Sequence, residues 1–328
     1  MNMVSKDIYL AAQLVYNEEI IAIPTETVYG LAGNIYSEKA IRSIFDLKKR
    51  PLINPLIVHI GSKDQLEDLT TEIPDLAKKL IDKFWPGSLT LVLKKKETVP
   101  NFVTGGKNTV AVRMPNHPIT LKLLDLLPFP LAAPSANPFG SISPTSASHV
   151  ATYFDKKIPM VLDGGSCQNG IESTIIGFEN NLPVLYRLGA IAIEEIENEI
   201  GPVSIKNFEE QNPSAPGMMA KHYAPETETL VVSNIHDGIN YYRGKKIGLL
   251  LFNSKISDDS IMHQEVLSLN GDLKEAASHL YAALHRLDAL NLDVIIAEKF
   301  PDNQLGRAIN DRLKRAAASK NNLNIVNQ

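Results

Sequence analysis

Short apolar runs alternate with amphipathic stretches along the first part of the chain. Apolar positions three and four residues apart predict helices over 7–16 and 37–50, and Ser37 is a typical N-cap for the second helix. The runs "IIAIP" (20–24) and "PLIVHI" (55–60) predict buried strands. Strands interleaved with helices in this way indicate an α/β protein.

The same alternation continues to about residue 190. It predicts helices over 74–85, 119–127 and 144–154, and strands in "SLTLVLK" (88–94), "NTVAVRM" (108–114), "PLAAP" (130–134), "PMVLDGG" (159–165), "ESTIIGF" (172–178) and "PVLYRLG" (183–189). The last three strands follow one another without a helix between them. We therefore expect a mixed sheet of the α+β kind rather than an all-parallel one.

The character of the chain changes after about residue 200. Residues 207–228 show no helical or strand period and are rich in Pro, Ala and charged side chains, which is typical of a linker. Strand and helix patterns then resume, with predicted helices over 272–290 and 304–318. We expect three parts, a first domain, a linker or lid and a smaller α/β domain, over residues 1–203, 204–228 and 229–328.

Composition restricts the class of protein. With 44% hydrophobic and 21% charged residues, the 328-residue chain is typical of a folded, soluble protein. Its net charge of −4 argues against a dedicated nucleic-acid-binding protein. No apolar run is long enough for a membrane span, and an N-terminus that carries acids and no long apolar block argues against a signal peptide, so a cytoplasmic location is expected. The single cysteine, Cys167, excludes an intramolecular disulfide and a multi-cysteine metal site.

Polar side chains lie next to the first two predicted strands. The stretch "PTETVYGL" (24–31) comes directly after a strand, and open α/β sheets bind ligands at the carboxyl ends of their strands. Lys48 and Arg50 end a predicted helix, and Asn54 and His59 follow in the next turn and strand. A structural interpretation is also open, because cations are favoured at helix C-termini and a single buried histidine is commonly a core residue.

Arg113 is a charged residue in an otherwise apolar strand. Thr109 precedes it by four positions, so both side chains are expected on one face of the sheet. A buried guanidinium group needs an anionic partner, because an unpaired buried charge is costly. That partner is either a carboxylate of the protein or the carboxylate of a ligand.

Two loops between strands are rich in small polar residues. "AAPSANPFGSISPT" (132–145) combines four hydroxyls with three prolines and carries no charged side chain. It is either a turn-rich connector or a rigid set of neutral donors shaped around a polyanion. "LDGGSCQNGIESTI" (162–175) lacks the glycine spacing of a dinucleotide fold or a P-loop.

Together and in this order, the motifs resemble one family, the threonylcarbamoyl-AMP synthases of the two-domain Sua type. The matching stretches are "PTETVYGL", "KKRP", "NPLIVHI", "WPGSLTLVL", "TVAVRMP", "APSAN", "SPT", "DGG", "GIESTI" and "HYAP". The family's K-x-R…S-x-N signature is present as Lys48, Arg50, Ser135 and Asn137. The resemblance implies a catalytic first domain with the YrdC-like fold, a twisted open sheet with helices, and a smaller Rossmann-like α/β domain after the linker.

The resemblance also implies a reaction. L-Threonine, bicarbonate and ATP would give threonylcarbamoyl-AMP and pyrophosphate, with Mg²⁺ as the metal ion that accompanies ATP. The product would pass to a separate tRNA threonylcarbamoyl transferase complex, and a weak contact with tRNA is compatible with this role. No membrane partner is implied.

Carried over by motif, the resemblance implies two sets of binding residues. The residues implied for L-threonine are Thr27, His59, Arg113 and Ser173. The residues implied for ATP are Arg50, Asn54, Thr109, Ser135, Asn137, Ser143, Arg187 and Tyr223. Lys48 and Arg50 would be catalytic, with Lys48 near the phosphates.

Two other functions fit parts of the sequence. An RNA-binding module could use Lys48, Arg50 and the lysines of 94–96 as a basic strip, but the negative net charge and the lack of an aromatic-rich RNA platform count against it. A carbamoyl transferase that adenylates carbamoyl phosphate would share the YrdC-like domain. Such transferases also carry zinc fingers, which a chain with one cysteine cannot form.

Overall fold

We analysed a computed structural model of the chain, which describes residues 3–206, residue 215 and residues 223–317. Much of the expected linker, residues 207–214 and 216–222, lies outside the described residues. The described chain divides into two compact units. The first comprises residues 3–139, 143–168, 172–206 and 215, and the second comprises 140–142, 169–171 and 223–317.

The first unit is built on a large mixed sheet. Its strands are β1 (Val4–Ser5), β2 (Ile21–Ile23), β3 (Gly30–Asn34), β4 (Ile57–His59), β5 (Leu89–Lys94), β6 (Thr109–Arg113), β7 (Leu131–Ala132), β8 (Val161–Leu162), β9 (Thr174–Glu179), β10 (Leu182–Arg187) and β11 (Ser204–Ile205). Within the described residues their spatial order is β1-β8-β2-β3-β7-β4-β6-β5-β9-β10-β11. This order contains both parallel and antiparallel pairs, so the prediction of a mixed sheet is confirmed.

Eight helices accompany this sheet in the described residues of the first unit. They are α1 (Ile8–Tyr16), α2 (Glu38–Lys48), α3 (Gln65–Leu69), α4 (Asp75–Phe84), α5 (Asn101–Thr104), α6 (Pro118–Asp125), α7 (Ala147–Phe154) and α8 (Ile193–Ile200). Ser37 caps α2 as predicted, because its hydroxyl accepts a hydrogen bond from the Ala40 amide at 3.1 Å. Lys49 then ends the helix in the left-handed conformation with φ of 53°.

The two faces of the central strands differ in chemistry. Leu89, Leu91 and Leu93 of β5 belong to the main hydrophobic core, whereas Thr90 and Val92 alternate with them and point to the other face. The same alternation on β4 and β6 leaves small apolar and polar side chains together on this second face. This second face is buried, but its side chains are smaller than the leucines of the main core and leave room for polar groups. The candidate site lies on this face.

The second unit contains a smaller, parallel sheet. Its strands are β12 (Glu228–Val232), β13 (Ile247–Leu251), β14 (Ile261–Val266) and β15 (Val294–Glu298), and its helices are α9 (Ile235–Tyr241), α10 (Leu273–Asp288) and α11 (Gln304–Ala317). The strand order is β12-β15-β13-β14 within the described residues, and each neighbouring pair is parallel. This agrees with the Rossmann-like α/β domain implied by the resemblance. Across the part of the chain that the structure describes, no helix combines the length and the apolar character that crossing a bilayer requires.

Candidate active site

Several of the candidate residues lie in one row across the sheet of the first unit. His59 of β4 pairs in register with Arg113 of β6, and Thr90 of β5 pairs with Ile175 of β9, which pairs with Arg187 of β10. Extending the antiparallel register of β5 and β6 by one step brings Thr90 opposite Arg113. Directly paired residues point to the same face of a sheet, so side chains from five strands converge on this row.

Arg113 is buried and held by three residues from two stretches of the chain. Its Nε donates to the Gly87 carbonyl at 3.1 Å, its Nη1 donates to the Thr27 hydroxyl at 2.8 Å, and its Nη2 donates to Glu26 Oε1 at 2.5 Å. A guanidinium group has five N–H donors. The described residues accept one N–H from Nη1 and one from Nη2, so each of these nitrogens has a second N–H that they do not use. Two such donors match the two oxygens of a carboxylate.

Glu26 is the protein carboxylate that sequence reasoning left as one of two possible partners of Arg113. It is 4% exposed and also accepts hydrogen bonds from the Ser88 hydroxyl at 2.9 Å and from the Asn116 amide at 3.0 Å. Burial by itself raises the pKa of Glu26, but the charge and hydrogen bond of Arg113 outweigh it and hold the pKa below its ordinary value. Glu26 and Arg113 therefore form a buried ion pair.

His59 is neutral in this environment. Burial, together with the positive charge of Arg113, lowers the pKa of His59 from 6.5 to about 3. Its Nδ1 lies 3.2 Å from the Ile57 carbonyl, which can only accept, so Nδ1 carries the proton. Nε2 is then an acceptor, and it can receive a hydrogen bond from a ligand hydroxyl or amine.

The lowered pKa of His59 makes the stability of the first unit sensitive to acid. Below about pH 6.5 the unfolded chain takes up a proton at this position, and the folded chain does not until about pH 3, so acidification through this window favours unfolding. Between pH 7 and pH 5.5 we expect His59 to account for a loss of roughly 1 kcal/mol in the free energy of unfolding. Urea unfolding of the wild type and of His59→Asn at both pH values measures the difference. Equal losses in the two proteins would contradict a neutral His59.

Ser173 is hydrogen-bonded to Thr90 and to Arg187. Its hydroxyl is 2.7 Å from the Thr90 hydroxyl, and both side chains are fully buried. Arg187 donates from Nε and Nη2 to the Ser173 carbonyl at 3.0 and 2.9 Å, and from Nη2 to the Ser173 hydroxyl at 3.0 Å. Gly189 permits this arrangement, because a Cβ there would lie 2.3 Å from the Thr174 amide nitrogen.

The signature residues Lys48, Ser135 and Asn137 are also brought together. Lys48 Nζ donates to the backbone carbonyls of Ser135 at 2.6 Å and of Asn137 at 2.5 Å, and the Lys48 carbonyl accepts from the Phe139 amide at 2.8 Å. Burial, with the neighbouring charge of Arg50, holds the pKa of Lys48 well below its ordinary value. The contacts show Lys48 fastening residues 135–139 to the end of α2.

Arg50 and Asn54 form a second fixed group. Arg50 Nη2 donates to Asn54 Oδ1 at 2.6 Å and to the Pro55 carbonyl at 2.8 Å, and both Arg50 and Asn54 are buried. A buried guanidinium group that is oriented by its own turn is a preorganised donor for an anion. Thr109, at the first position of β6, is half-buried and pairs with Lys94 of β5.

Ser143 lies in the polar loop that follows β7. Its hydroxyl donates to Glu172 Oε1 at 2.6 Å, and both residues are buried. The two loops that the sequence singled out, 132–145 and 162–175, are thereby joined by a side-chain hydrogen bond.

Tyr223 belongs to the second unit and ends the linker. It has a φ of 67° and is 1% exposed. Its ring stacks on Tyr281 of α10, with centroids 5.7 Å apart, and the Arg312 guanidinium of α11 lies 5.2 Å from the centroid of the Tyr223 ring. The ring is therefore held by residues of its own unit.

The structure thus places the predicted residues of the first unit in several small groups and adds other residues to them. Glu26, Thr90 and Glu172 were missed by sequence reasoning. Glu26 belongs to a motif that was singled out, and Thr90 is a hydroxyl residue at an alternating position of an apolar strand, so both carried a signal. In the described residues no group of three or more His, Cys, Asp or Glu side chains could hold a metal ion.

Comparisons with known proteins agree with these observations. A family model described as telomere recombination, which covers Sua5, YciO and YrdC proteins, matches residues 13–189, and the model of the threonylcarbamoyl-AMP synthase C-terminal domain matches residues 191–318. The chain is 44% identical to the threonylcarbamoyl-AMP synthase of Pyrococcus abyssi (strain GE5 / Orsay), with 94% of each chain covered. It is 42% identical to the synthase of Bacillus subtilis (strain 168), with 94% of this chain and 92% of the relative covered.

A solved structure is similar over nearly the whole chain. The crystal structure of P. abyssi Sua5 complexed with L-threonine matches with a TM-score of 0.89 and 43% identity, and the match covers 95% of this chain and 94% of that one. Both domain models, the relatives and the fold agree with the resemblance seen in the sequence motifs. The chain belongs to the threonylcarbamoyl-AMP synthase family of two-domain Sua type, whose members are ATP-using transferases that form an adenylate.

Proposed function

We propose that this protein catalyses the reaction of L-threonine, bicarbonate and ATP to threonylcarbamoyl-AMP, pyrophosphate and water. Dehydration of bicarbonate gives CO2 and water, the threonine ammonium group loses a proton, and the resulting amine adds to CO2 to form a carbamate. A carbamate oxygen then attacks the α-phosphorus of ATP, and pyrophosphate leaves. The relatives' name supports the product, and the P. abyssi structure with bound L-threonine supports the amino acid.

The proposed threonine subsite is the group around Arg113. The two remaining donors of its guanidinium would bind the threonine carboxylate as a bidentate pair. Thr27 and Ser173 present hydroxyls and His59 presents a neutral acceptor, which together suit the hydroxyl of the substrate. A site of this kind rejects analogues that lack the hydroxyl, because its buried polar groups would be left without partners.

The proposed ATP subsite combines buried arginines with loop donors. Arg50 and Arg187 would bind phosphate oxygens, and the polar residues around them would bind the rest of the nucleotide: Asn54, Thr109, Ser135, Asn137 and Ser143. We also include Tyr223, at the end of the linker. The ring of Tyr223 packs against Tyr281 and Arg312, which fix its orientation.

Displacement at phosphorus needs positioning and charge neutralisation more than a strong base. Arg50 is already oriented by Asn54 and Pro55, so little reorganisation is needed when charge develops on the phosphates. Lys48 would act through the loop 135–139, whose carbonyls it holds, and so keep the donors of Ser135 and Asn137 in place.

The residues fit a Mg²⁺ ion that is bound mainly by ATP. Mg²⁺ in such sites is commonly held by phosphate oxygens with one or two carboxylates of the protein. Glu172 is a buried carboxylate in contact with Ser143, and it would be the protein ligand. When bound, Mg²⁺ would neutralise the triphosphate.

The observation that carries the proposal is the buried Arg113. Glu26 and Thr27 each accept one N–H of its guanidinium group, and each terminal nitrogen has a second N–H for a ligand. Pyrophosphate release from ATP by the purified protein tests it, with L-threonine and bicarbonate each present or omitted. Release that requires both supports the synthase. Release indifferent to both would overturn it, and carbamoyl phosphate and RNA would then be tested as ligands.

The proposal extends to partners and location. The relatives' name supports a role in the biosynthesis of a modified tRNA nucleoside, and we propose that a separate transferase complex receives the adenylate in the cytoplasm. The product is an activated mixed anhydride, which water hydrolyses. A nearby acceptor enzyme would therefore limit its loss.

A further inference from the structure

Glu26 is a buried charged residue for which the proposed chemistry gives no role. It is 4% exposed, it belongs to the "PTETVYGL" stretch, and its carboxylate lies at the centre of the proposed threonine subsite. Natural buried ion pairs contribute little net stability, because desolvation offsets the attraction between the charges. Stability alone therefore does not account for a carboxylate at this buried position.

The charges around Arg113 balance. Arg113 is positive and Glu26 is negative, and the two are joined at 2.5 Å. His59 stays neutral because burial and the charge of Arg113 lower its pKa to about 3. Burial raises the pKa of the nearby Cys167 to about 12, so that thiol is uncharged as well, and burial lowers the pKa of His117 beside Glu26. At neutral pH the charges of Arg113 and Glu26 therefore offset each other, and the positive charge of Arg187 lies further along the row, at Ser173.

Glu26 also has capacity to accept a further hydrogen bond. Its two oxygens accept three bonds from the described residues: Oε1 from Arg113 and Ser88, and Oε2 from the Asn116 amide. A carboxylate has about four acceptor positions, so Oε2 can accept one more donor. An amino group next to a carboxylate held by Arg113 would be a suitable donor.

We propose that Glu26 determines the charge specificity of the amino-acid subsite, so that it takes a zwitterion in preference to an anionic hydroxy acid. Arg113 provides the positive charge for the ligand carboxylate, and Glu26 provides the compensating negative charge for the ligand ammonium group. A ligand with the carboxylate alone would leave Glu26 beside an uncompensated negative charge in a buried site. This inference rests on the proposed function, because it takes Arg113 as the threonine carboxylate receptor.

The test compares L-threonine with 3-hydroxybutyrate, which has the same carboxylate and hydroxyl but no amino group. Binding of each ligand is measured by thermal shift and by calorimetry, without ATP and bicarbonate, so that the readout does not depend on turnover. For Glu26→Gln we expect threonine to bind about tenfold more weakly and 3-hydroxybutyrate to bind as tightly as before or more tightly. The ratio of the two affinities should change at least tenfold.

Two further variants separate charge from shape. Glu26→Asp keeps the charge but shortens the side chain, so both ligands should weaken together and the ratio should stay near that of the wild type. Glu38→Gln removes a glutamate from an exposed ion pair with Arg42 and should change neither affinity. A Glu26 variant that is less stable than the wild type can still be tested below its melting temperature. The quantity compared is the ratio of the affinities for the two ligands, and both affinities are measured on the same protein.

Failure of the proposed role of Glu26 and failure of the proposed synthase function give different results in this test. A Glu26→Gln protein that loses affinity for both ligands equally would overturn the charge role and leave Glu26 as a packing residue. An unchanged ratio with unchanged affinities would also overturn it. A wild-type protein that binds no threonine and releases pyrophosphate without it would instead refute the proposed function itself.

Discussion

Replacing Arg113 by lysine is expected to raise the KM for threonine about 100-fold. Lysine keeps the positive charge but has no planar pair of donors, so the bidentate contact with the substrate carboxylate and the bond to Thr27 are both lost. Hydrogen bonds to charged groups contribute about 1.5–3 kcal/mol each, and the lower part of that range for two bonds corresponds to this factor. Steady-state kinetics with threonine varied at saturating ATP measures it. The KM for ATP should change little.

Replacing Arg113 by methionine tests the ion pair rather than the substrate contact. The carboxylate of Glu26 would then be buried without its counter-charge, which we expect to lower the free energy of unfolding by about 3–5 kcal/mol. The double variant with Glu26→Gln should recover part of this loss. Arg42→Met, at an exposed ion pair, is the matched control and should cost less than about 1 kcal/mol. Equal stability of the Arg113 and Arg42 variants would contradict a buried ion pair.

The second large effect is expected at Lys48. Lys48→Met removes the donor to two backbone carbonyls, and a buried acceptor without a partner costs about 1–3 kcal/mol. We expect kcat/KM for ATP to fall about 100-fold, because the loop 135–139 would lose its attachment to α2. Ser135 and Asn137 would then no longer be fixed in position. Hydrogen exchange should show loss of protection in this loop. Lys49→Met, at the exposed neighbouring position, is the control and should leave both measurements unchanged.

The combination of the two readouts decides how Lys48 acts. Loss of turnover together with loss of protection supports a role through the loop. Loss of turnover with an unchanged pattern of exchange would mean that the Lys48 amine itself acts on the phosphates. Full activity of Lys48→Met would contradict both roles.

Local features of the fold were predictable because they depend on nearby residues. The α2 helix, its Ser37 cap and the apolar strand β5 follow from periodicity and capping within a dozen positions. Other elements were not anticipated. Strand β14 reads "IMHQEV", and its polar, partly exposed residues give no alternating pattern. Strand β3 was not predicted either, and it pairs antiparallel with β2 over Gly30 to Ala32.

The candidate site was predictable by motif but not by geometry. The motifs carried the residue types of Arg113, His59 and Ser173, yet the row that unites them depends on the register of strands far apart in the chain. Whether Arg113 faces a protein carboxylate or a ligand could not be decided from spacing. Packing places Glu26 against Arg113, so a protein carboxylate is one partner, and the two donors that remain are those we propose for a ligand carboxylate.

The most direct measurement of the central claim is the fate of labelled bicarbonate. The protein is incubated with ATP, L-threonine and ¹³C-bicarbonate. The nucleotide products are then separated, and their masses are measured by mass spectrometry. We predict an adenylate that contains threonine and one ¹³C atom, formed with one pyrophosphate and absent when threonine is omitted. An adenylate without the ¹³C atom, or release of AMP alone with no threonine-containing product, would contradict the proposed reaction.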